Sequence, residues 1–74
     1  MRKKAFDRRF IYKMQELNRS NGMTYTKLAD KLRIKGHNLT HIQVFEIAAR
    51  RREADKALQN DIADILGCLR KDIF

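Results

Sequence analysis

Apolar residues recur along this chain at the spacing of helices, and the alternation typical of strands does not persist over any useful length. The first stripe has intervals of four, four and three residues and consists of Phe6, Phe10, Met14 and Leu17. It predicts a helix from about Lys3 to Arg19. Gly22 is expected to end this helix, because glycine readily takes the left-handed conformation found after the last helical turn.

A second helix is predicted from about Tyr25 to Leu32, with Thr24 as its cap, since a threonine hydroxyl can accept a hydrogen bond from an amide of the next turn. Its inner face is expected to hold Leu28, Ala29 and Leu32. Ile34 is expected to fill the turn that follows this helix.

A third helix is predicted to begin between Gly36 and Asn38, with Asn38 as a candidate cap. Its inward stripe is expected to consist of Leu39, Ile42, Phe45 and Ala49. No glycine or proline interrupts the chain before Arg50, so this helix is expected to be long. A fourth helix carries the apolar residues Leu58, Ile62, Ile65 and Leu66 and is expected to end at Gly67.

The predicted fold is therefore all-α, a small bundle of four to five helices in a single domain covering residues 1–74. A chain of 74 residues has a thin core, which self-association would help to stabilise. An apolar tail consisting of Leu69, Ile73 and Phe74 favours a homodimer.

The charge balance indicates a polyanionic partner. The chain has 17 lysines and arginines and nine acidic residues, which gives a formal net charge of +8. Nucleic acid is the first candidate. An anionic membrane surface, bound by the basic first helix, is a second hypothesis, although the core explains the apolar stripe of that helix equally well. The single cysteine, Cys68, and the lack of a long apolar run predict a cytoplasmic protein with no membrane span.

Two short helices joined by a tight turn, at about residues 24–44, predict a helix-turn-helix. If the apolar stripe packs inward, a small and mostly polar set of residues lies on the outer face of the third helix. These are Gly36, His37, Thr40, His41 and Val44, with Asn38 and Gln43 at the edges. The major groove of duplex DNA is wide enough to admit such a helix.

The segment from Met23 to Ile34, followed by Leu39-Thr40-His41-Ile42, resembles the Cro/C1-type (XRE-like) helix-turn-helix family of phage repressors and bacterial transcription regulators. The segment from Ile62 to Gly67, with the ending Asp72-Ile73-Phe74, is similar to the close of the same domain. The resemblance implies a bundle of the lambda-repressor type and a sequence-specific regulator of transcription, typically a repressor.

The resemblance also implies residue roles. It places a phosphate contact at Thr24 and Tyr25, and base contacts among Lys35, Gly36, His37, Thr40, His41 and Val44. Position and charge add further candidates. The predicted base-reading set is His37, Asn38, Thr40, His41 and Val44, and the predicted phosphate-binding set is Thr24, Tyr25, Lys27, Lys35, Arg50, Arg51 and Arg52.

Three features depart from the family pattern. Tyr25 stands where the family usually has glutamine. Arg33 stands where it usually has a turn glycine, so the turn is expected to be rebuilt with the help of Gly36. The stretch from Val44 to Ala57 is longer and more charged than the family's loop.

Catalysis and metal binding find little support in the sequence. His37 and His41 are four residues apart, but no third ligand is evident, so no metal or cofactor is expected. Ser20 has no histidine base near it, and no phosphate-binding glycine loop or paired-carboxylate cleft is apparent, so a non-enzyme is predicted. The alternative function is a protein-binding antagonist of the same fold, similar to an antirepressor or an antitoxin. It would bind a second regulatory protein through the fourth helix and the tail.

Overall fold

A computed structural model describes residues 7–74, and these residues fold into five α-helices. The helices are α1 (Arg9–Asn21), α2 (Tyr25–Ile34), α3 (His41–Ala48), α4 (Lys56–Leu66) and α5 (Arg70–Ile73). The described part of the chain contains no strand, which confirms the all-α helical bundle. None of its helices combines the length and the apolar character that crossing a membrane requires.

Every described helix contributes to one core. α2 packs against α3 and α4, while α5 packs against α1 and α4. The buried apolar side chains are Phe10, Met14, Met23, Leu28, Ala29, Leu32, Val44, Ile47, Ala48, Ile62, Ala63, Leu66 and Ile73. No polar or charged side chain of residues 7–74 is buried among them, so removal of apolar surface from water is the main stabilising term.

Local sequence sets most helix ends. Gly22 and Gly67 adopt the left-handed conformation, with φ of 75° and 73°, and close α1 and α4 as predicted. The hydroxyl of Thr24 accepts a hydrogen bond from the amide of Lys27 at 3.1 Å, which confirms Thr24 as the cap of α2. Asp55 caps α4 in the same way.

The first helix and the tail differ from the prediction. α1 begins at Arg9 and extends to Asn21, and the predicted portion before residue 7, including Phe6, lies outside the described residues. In the tail, Ile73 is buried, and the ring of Phe74 packs edge-to-face on Phe10 at 5.5 Å between centroids. These two side chains therefore belong to the chain's own core and are not free for a dimer contact.

The third helix is shorter and begins later than predicted. It starts at His41 and ends at Ala48, so residues 49–55 are not helical and the arginine run lies outside α3. Ile34 does not fill the turn, since its side chain is 86% exposed. The turn between α2 and α3 covers residues 35–40 and is rebuilt at Gly36, whose φ is 100°, while Arg33 stays within α2.

Candidate nucleic-acid interface

Two side chains in the first turn of α2 tie this helix to its neighbours. The Lys27 ammonium donates to the carbonyl of Gly22 at 3.1 Å, which ties the first turn of α2 to the end of α1. Tyr25 packs its ring edge-to-face on Phe45 of α3, with 5.3 Å between centroids. Burial raises the pKa of Tyr25, so its phenol stays protonated and can donate a hydrogen bond at neutral pH.

Two residues of the turn are paired with carboxylates of α4. His37 Nε2 lies 2.6 Å from Asp61 Oδ2, and Lys35 Nζ lies 3.4 Å from Asp64 Oδ2. Asp61 and Asp64 are three residues apart and therefore share one face of α4. These pairs fix the turn to α4 and occupy two side chains that the sequence assigned to DNA.

The start of α3 is defined by a reciprocal cap. The Thr40 hydroxyl accepts from the amide of Gln43 at 3.2 Å, and the Thr40 amide donates to the side-chain oxygen of Gln43 at 3.0 Å. The prediction that Asn38 caps this helix is therefore wrong, and Asn38 is an exposed residue of the turn. His41 follows the cap as the first helical residue, and its side chain is exposed.

The predicted outer face of α3 is partly wrong. Val44 is fully buried, so it is not able to contact a base, and it packs in the core with Ile47 and Ala48. Ile42 and Phe45, which were predicted to face inward, are 60% and 42% exposed. Two stripes of α3 have helical spacing, and the stripe formed by positions 44, 47 and 48 packs into the core, so the competing stripe through positions 42 and 45 faces outward.

Arg50 lies in a structural ion-pair cluster. Its guanidinium lies 2.9 Å from a carboxylate oxygen of Asp7, donates to the backbone carbonyl of Ile73, and stacks over the ring of Phe74 at 5.1 Å from the centroid. Arg9 also binds Asp7, and the two arginines, Arg9 foremost, hold the pKa of this carboxyl well below its usual range. Arg50 thus joins the start of α1 to the end of α5.

The other two arginines of the run are more accessible. Arg52 donates from Nε to Glu46 at 3.2 Å, and its terminal N–H groups form no hydrogen bond with the described residues. Arg51 is exposed, and no carboxylate of the described residues forms an ion pair with it. Of the predicted phosphate-binding arginines, Arg51 is therefore the one with an uncommitted charge.

Thr24, Tyr25 and Lys27 lie at the start of α2, and Thr40 and His41 lie at the start of α3, on two helices that pack against each other. Sequence reasoning missed Asp61 and Asp64 as the partners of the turn. The sequence shows that Asp61 and Asp64 share one face of a helix. It does not show which basic residues, distant in the chain, pair with them. The exposure of Ile42 and Phe45 was not evident from the sequence, because the stripe through Val44 has helical spacing as well.

Comparisons with known proteins add no further constraint. A scan against protein-family models found no match, and searches of curated proteins and of solved structures found none either. The resemblance to the Cro/C1-type family stays a prediction, and the functional argument depends on the geometry of this chain.

Proposed function

We propose that this chain is a sequence-specific duplex-DNA-binding regulator of transcription, and specifically a repressor that occludes a promoter in a bacterial or phage-infected cytoplasm. The observation that carries the proposal is the start of α3. There a reciprocally capped helix end presents the exposed side chain of His41, and the rest of the helix is anchored by Val44 and Ile47 in the core.

Base contacts are assigned to the exposed residues at that end of α3. In helix-turn-helix proteins the N-terminal residues of the second helix contact base edges in the major groove. His41 supplies a ring nitrogen, and Asn38 supplies an amide that can bond an adenine edge. Ile42, 60% exposed and next to His41, adds an apolar contact suited to a thymine methyl group.

Phosphate contacts are assigned to the start of α2 and to the loop after α3. Backbone amides at the N-terminus of a helix favour an anion, and Thr24, Tyr25 and Lys27 surround that end of α2. Arg51 supplies an exposed guanidinium after α3. The formal net charge of +8 supports attraction to the phosphate backbone.

Not every predicted contact keeps its place in the proposal. His37 and Lys35 are paired with α4, so their contribution is to hold the turn in position behind the exposed residues. A homodimer on a two-fold-related operator remains part of the proposal, because a core this thin gains from self-association and symmetric sites are typical of this architecture.

The experiment is a binding titration by fluorescence anisotropy on a duplex selected for affinity, at several salt concentrations. If six to ten phosphates are contacted, affinity should fall by about 10³- to 10⁵-fold between 50 and 200 mM salt. Replacing Arg51 with Ala should lower the slope of log affinity against log salt by about 1. A slope near zero for the wild-type protein would contradict the proposal.

His41 provides the matched test of base contact. His41→Ala should reduce discrimination between the selected and a scrambled duplex by about 1–3 kcal/mol. Arg51→Ala is the control, because losing a phosphate contact weakens binding to both duplexes about equally. If His41→Ala weakens binding to both duplexes equally, His41 contacts the DNA backbone and not a base.

A second candidate function is a protein-binding antagonist of the antirepressor or antitoxin kind. The observation that favours it is the apolar exposure on α3, where Phe45 borders a groove of about 420 Å³ that also includes Ile11, Met14 and Met23. The surface would then lie on α1 and α3, since Ile73 and Phe74 of the tail are committed to the core. Stoichiometric co-purification of a partner protein, with no binding of duplex DNA at low salt, would favour this function.

A further inference from the structure

A cleft of about 440 Å³ opens between the loop after α3, the middle of α4 and the end of the chain. Three guanidinium groups line it, those of Arg50, Arg52 and Arg70, together with one carboxylate, that of Glu53. Its volume falls within the range of small-molecule sites. None of the base or phosphate contacts proposed above involves the cleft or Arg70.

The three arginines of the cleft differ in whether their bonding partner is a carboxylate or a neutral amide. Arg50 is neutralised by Asp7, and Arg52 donates its Nε to Glu46. Arg70 instead donates Nη1 to the side-chain oxygen of Gln59 at 3.1 Å, and a neutral amide does not compensate its charge. Within residues 7–74 no carboxylate forms an ion pair with Arg70, and this includes Glu53, the acidic residue of the cleft lining.

Gln59 orients Arg70 by a second hydrogen bond. Its amide nitrogen donates to the carbonyl of Ala54 at 2.8 Å, so the side-chain oxygen is turned toward Arg70. With the Nη1 group of Arg70 and the Nε group of Arg52 occupied, the remaining terminal N–H donors of both guanidiniums are left for another acceptor. Paired guanidinium donors of this kind match the geometry of a phosphate or carboxylate group.

The ring of Phe74 forms an apolar wall of the cleft beside the arginines. Ile47 of α3 also belongs to the lining, but only 1% of its surface is exposed. A ligand with an anionic head and a flat or apolar body would place the head on the guanidiniums and the body on this wall, which is the usual division of a small-molecule site.

We propose that this cleft binds a small organic phosphate ester, with Arg70 and Arg52 as the anion-binding residues and the ring of Phe74 as the wall that contacts its apolar group. The inference goes beyond the proposed function and does not depend on DNA binding. A phosphate of the DNA backbone would bind the guanidinium groups in the same way, so the experiment distinguishes a small phosphate ester from duplex DNA.

The test uses phenyl phosphate as the probe, with inorganic phosphate as the comparison, titrated at constant ionic strength and followed by amide chemical shifts and calorimetry. The full chain should bind phenyl phosphate more tightly than inorganic phosphate, with shift changes centred on Ile47, Gln59 and Phe74. Arg70→Gln and Arg52→Gln should each weaken binding of phenyl phosphate by about 10- to 100-fold, as expected for the loss of a hydrogen bond to a charged group.

Lys71→Gln is the matched control, because it removes the same charge one residue from Arg70, on an exposed side chain that does not line the cleft. Thermal unfolding of each variant checks that the fold is retained. An equal loss of affinity in Lys71→Gln would overturn the proposal, as would the absence of phenyl phosphate binding at millimolar concentration. A loss of duplex DNA affinity in Arg70→Gln with unchanged phenyl phosphate binding would also overturn it, because the cleft would then hold a backbone phosphate.

Discussion

Arg50 has a left-handed backbone conformation and several side-chain contacts. Two substitutions at this position measure the energetic effect of each separately. Arg50 is the one described non-glycine residue with positive φ, at 63°. A left-handed conformation costs an L-residue roughly 1–2 kcal/mol. The side chain offsets this cost through Asp7, the carbonyl of Ile73 and the ring of Phe74.

Arg50→Ala removes these contacts and keeps the backbone cost. A partly exposed ion pair, a charged hydrogen bond and a cation–π contact together contribute about 2–4 kcal/mol. The free energy of unfolding of a domain this small is itself only about 4–11 kcal/mol. Arg50→Gly loses the same contacts but relieves the backbone, so it should be more stable than Arg50→Ala by about 1 kcal/mol.

The assay is urea unfolding followed by circular dichroism at neutral pH. The control is Arg51→Ala, since Arg51 is exposed and its removal should change the free energy of unfolding by less than about 0.5 kcal/mol. The reasoning is refuted if Arg50→Ala is as stable as Arg51→Ala, or if the Gly and Ala variants at position 50 are equally stable. Arg51→Ala should also lower the salt dependence of DNA binding, whereas Arg50→Ala should leave it unchanged.

Three further substitutions test the site and the fold. Thr40→Ala removes the hydroxyl that accepts from the amide of Gln43 at the start of α3 and should cost about 1 kcal/mol of unfolding free energy in the same urea assay, so wild-type stability would argue against the observed helix start. Val44→Thr should lower the free energy of unfolding by about 1–3 kcal/mol, because it buries a hydroxyl in an apolar core. Unchanged stability would indicate that residue 44 lies on the outer face of α3. Since the pKa of Asp7 is lowered in the folded state, its contribution is full above the unfolded value near 3.9 and is lost as pH falls below it. Asp7→Asn should therefore lose stability at pH 7 and show a smaller further loss between pH 5 and pH 2, and an unchanged acid transition would contradict the ion-pair cluster.

The helix ends that depend on nearby residues were predictable. Gly22, Gly67 and Thr24 act through the conformation or the hydroxyl of a single residue, and each lies where the sequence predicts. The start of α3 was equally local, since Thr40 and Gln43 have the spacing of a capping box. It was missed because Gly36 and Asn38 supplied an earlier and less specific signal.

The contacts that decide which side chains are available were not predictable from one sequence. The pairs that join His37 to Asp61 and Arg50 to Asp7 connect residues far apart in the chain, and their existence depends on how α4 and α5 pack. Two apolar stripes also compete on α3, one through Val44 and one through Ile42. Hydrophobic periodicity alone does not choose between them, because both have helical spacing and the packing of α3 against α2 decides which one is buried.

The most direct measurement of the central claim is selection of bound sequences from a random duplex pool, run in parallel with the wild-type protein and His41→Ala. The account predicts that the wild-type protein enriches one motif, with two-fold-related half-sites if it binds as a homodimer. It also predicts that His41→Ala loses preference at one or two base pairs of that motif while retaining the rest. A pool that remains random after selection with the wild-type protein would contradict the assignment of α3 to base recognition.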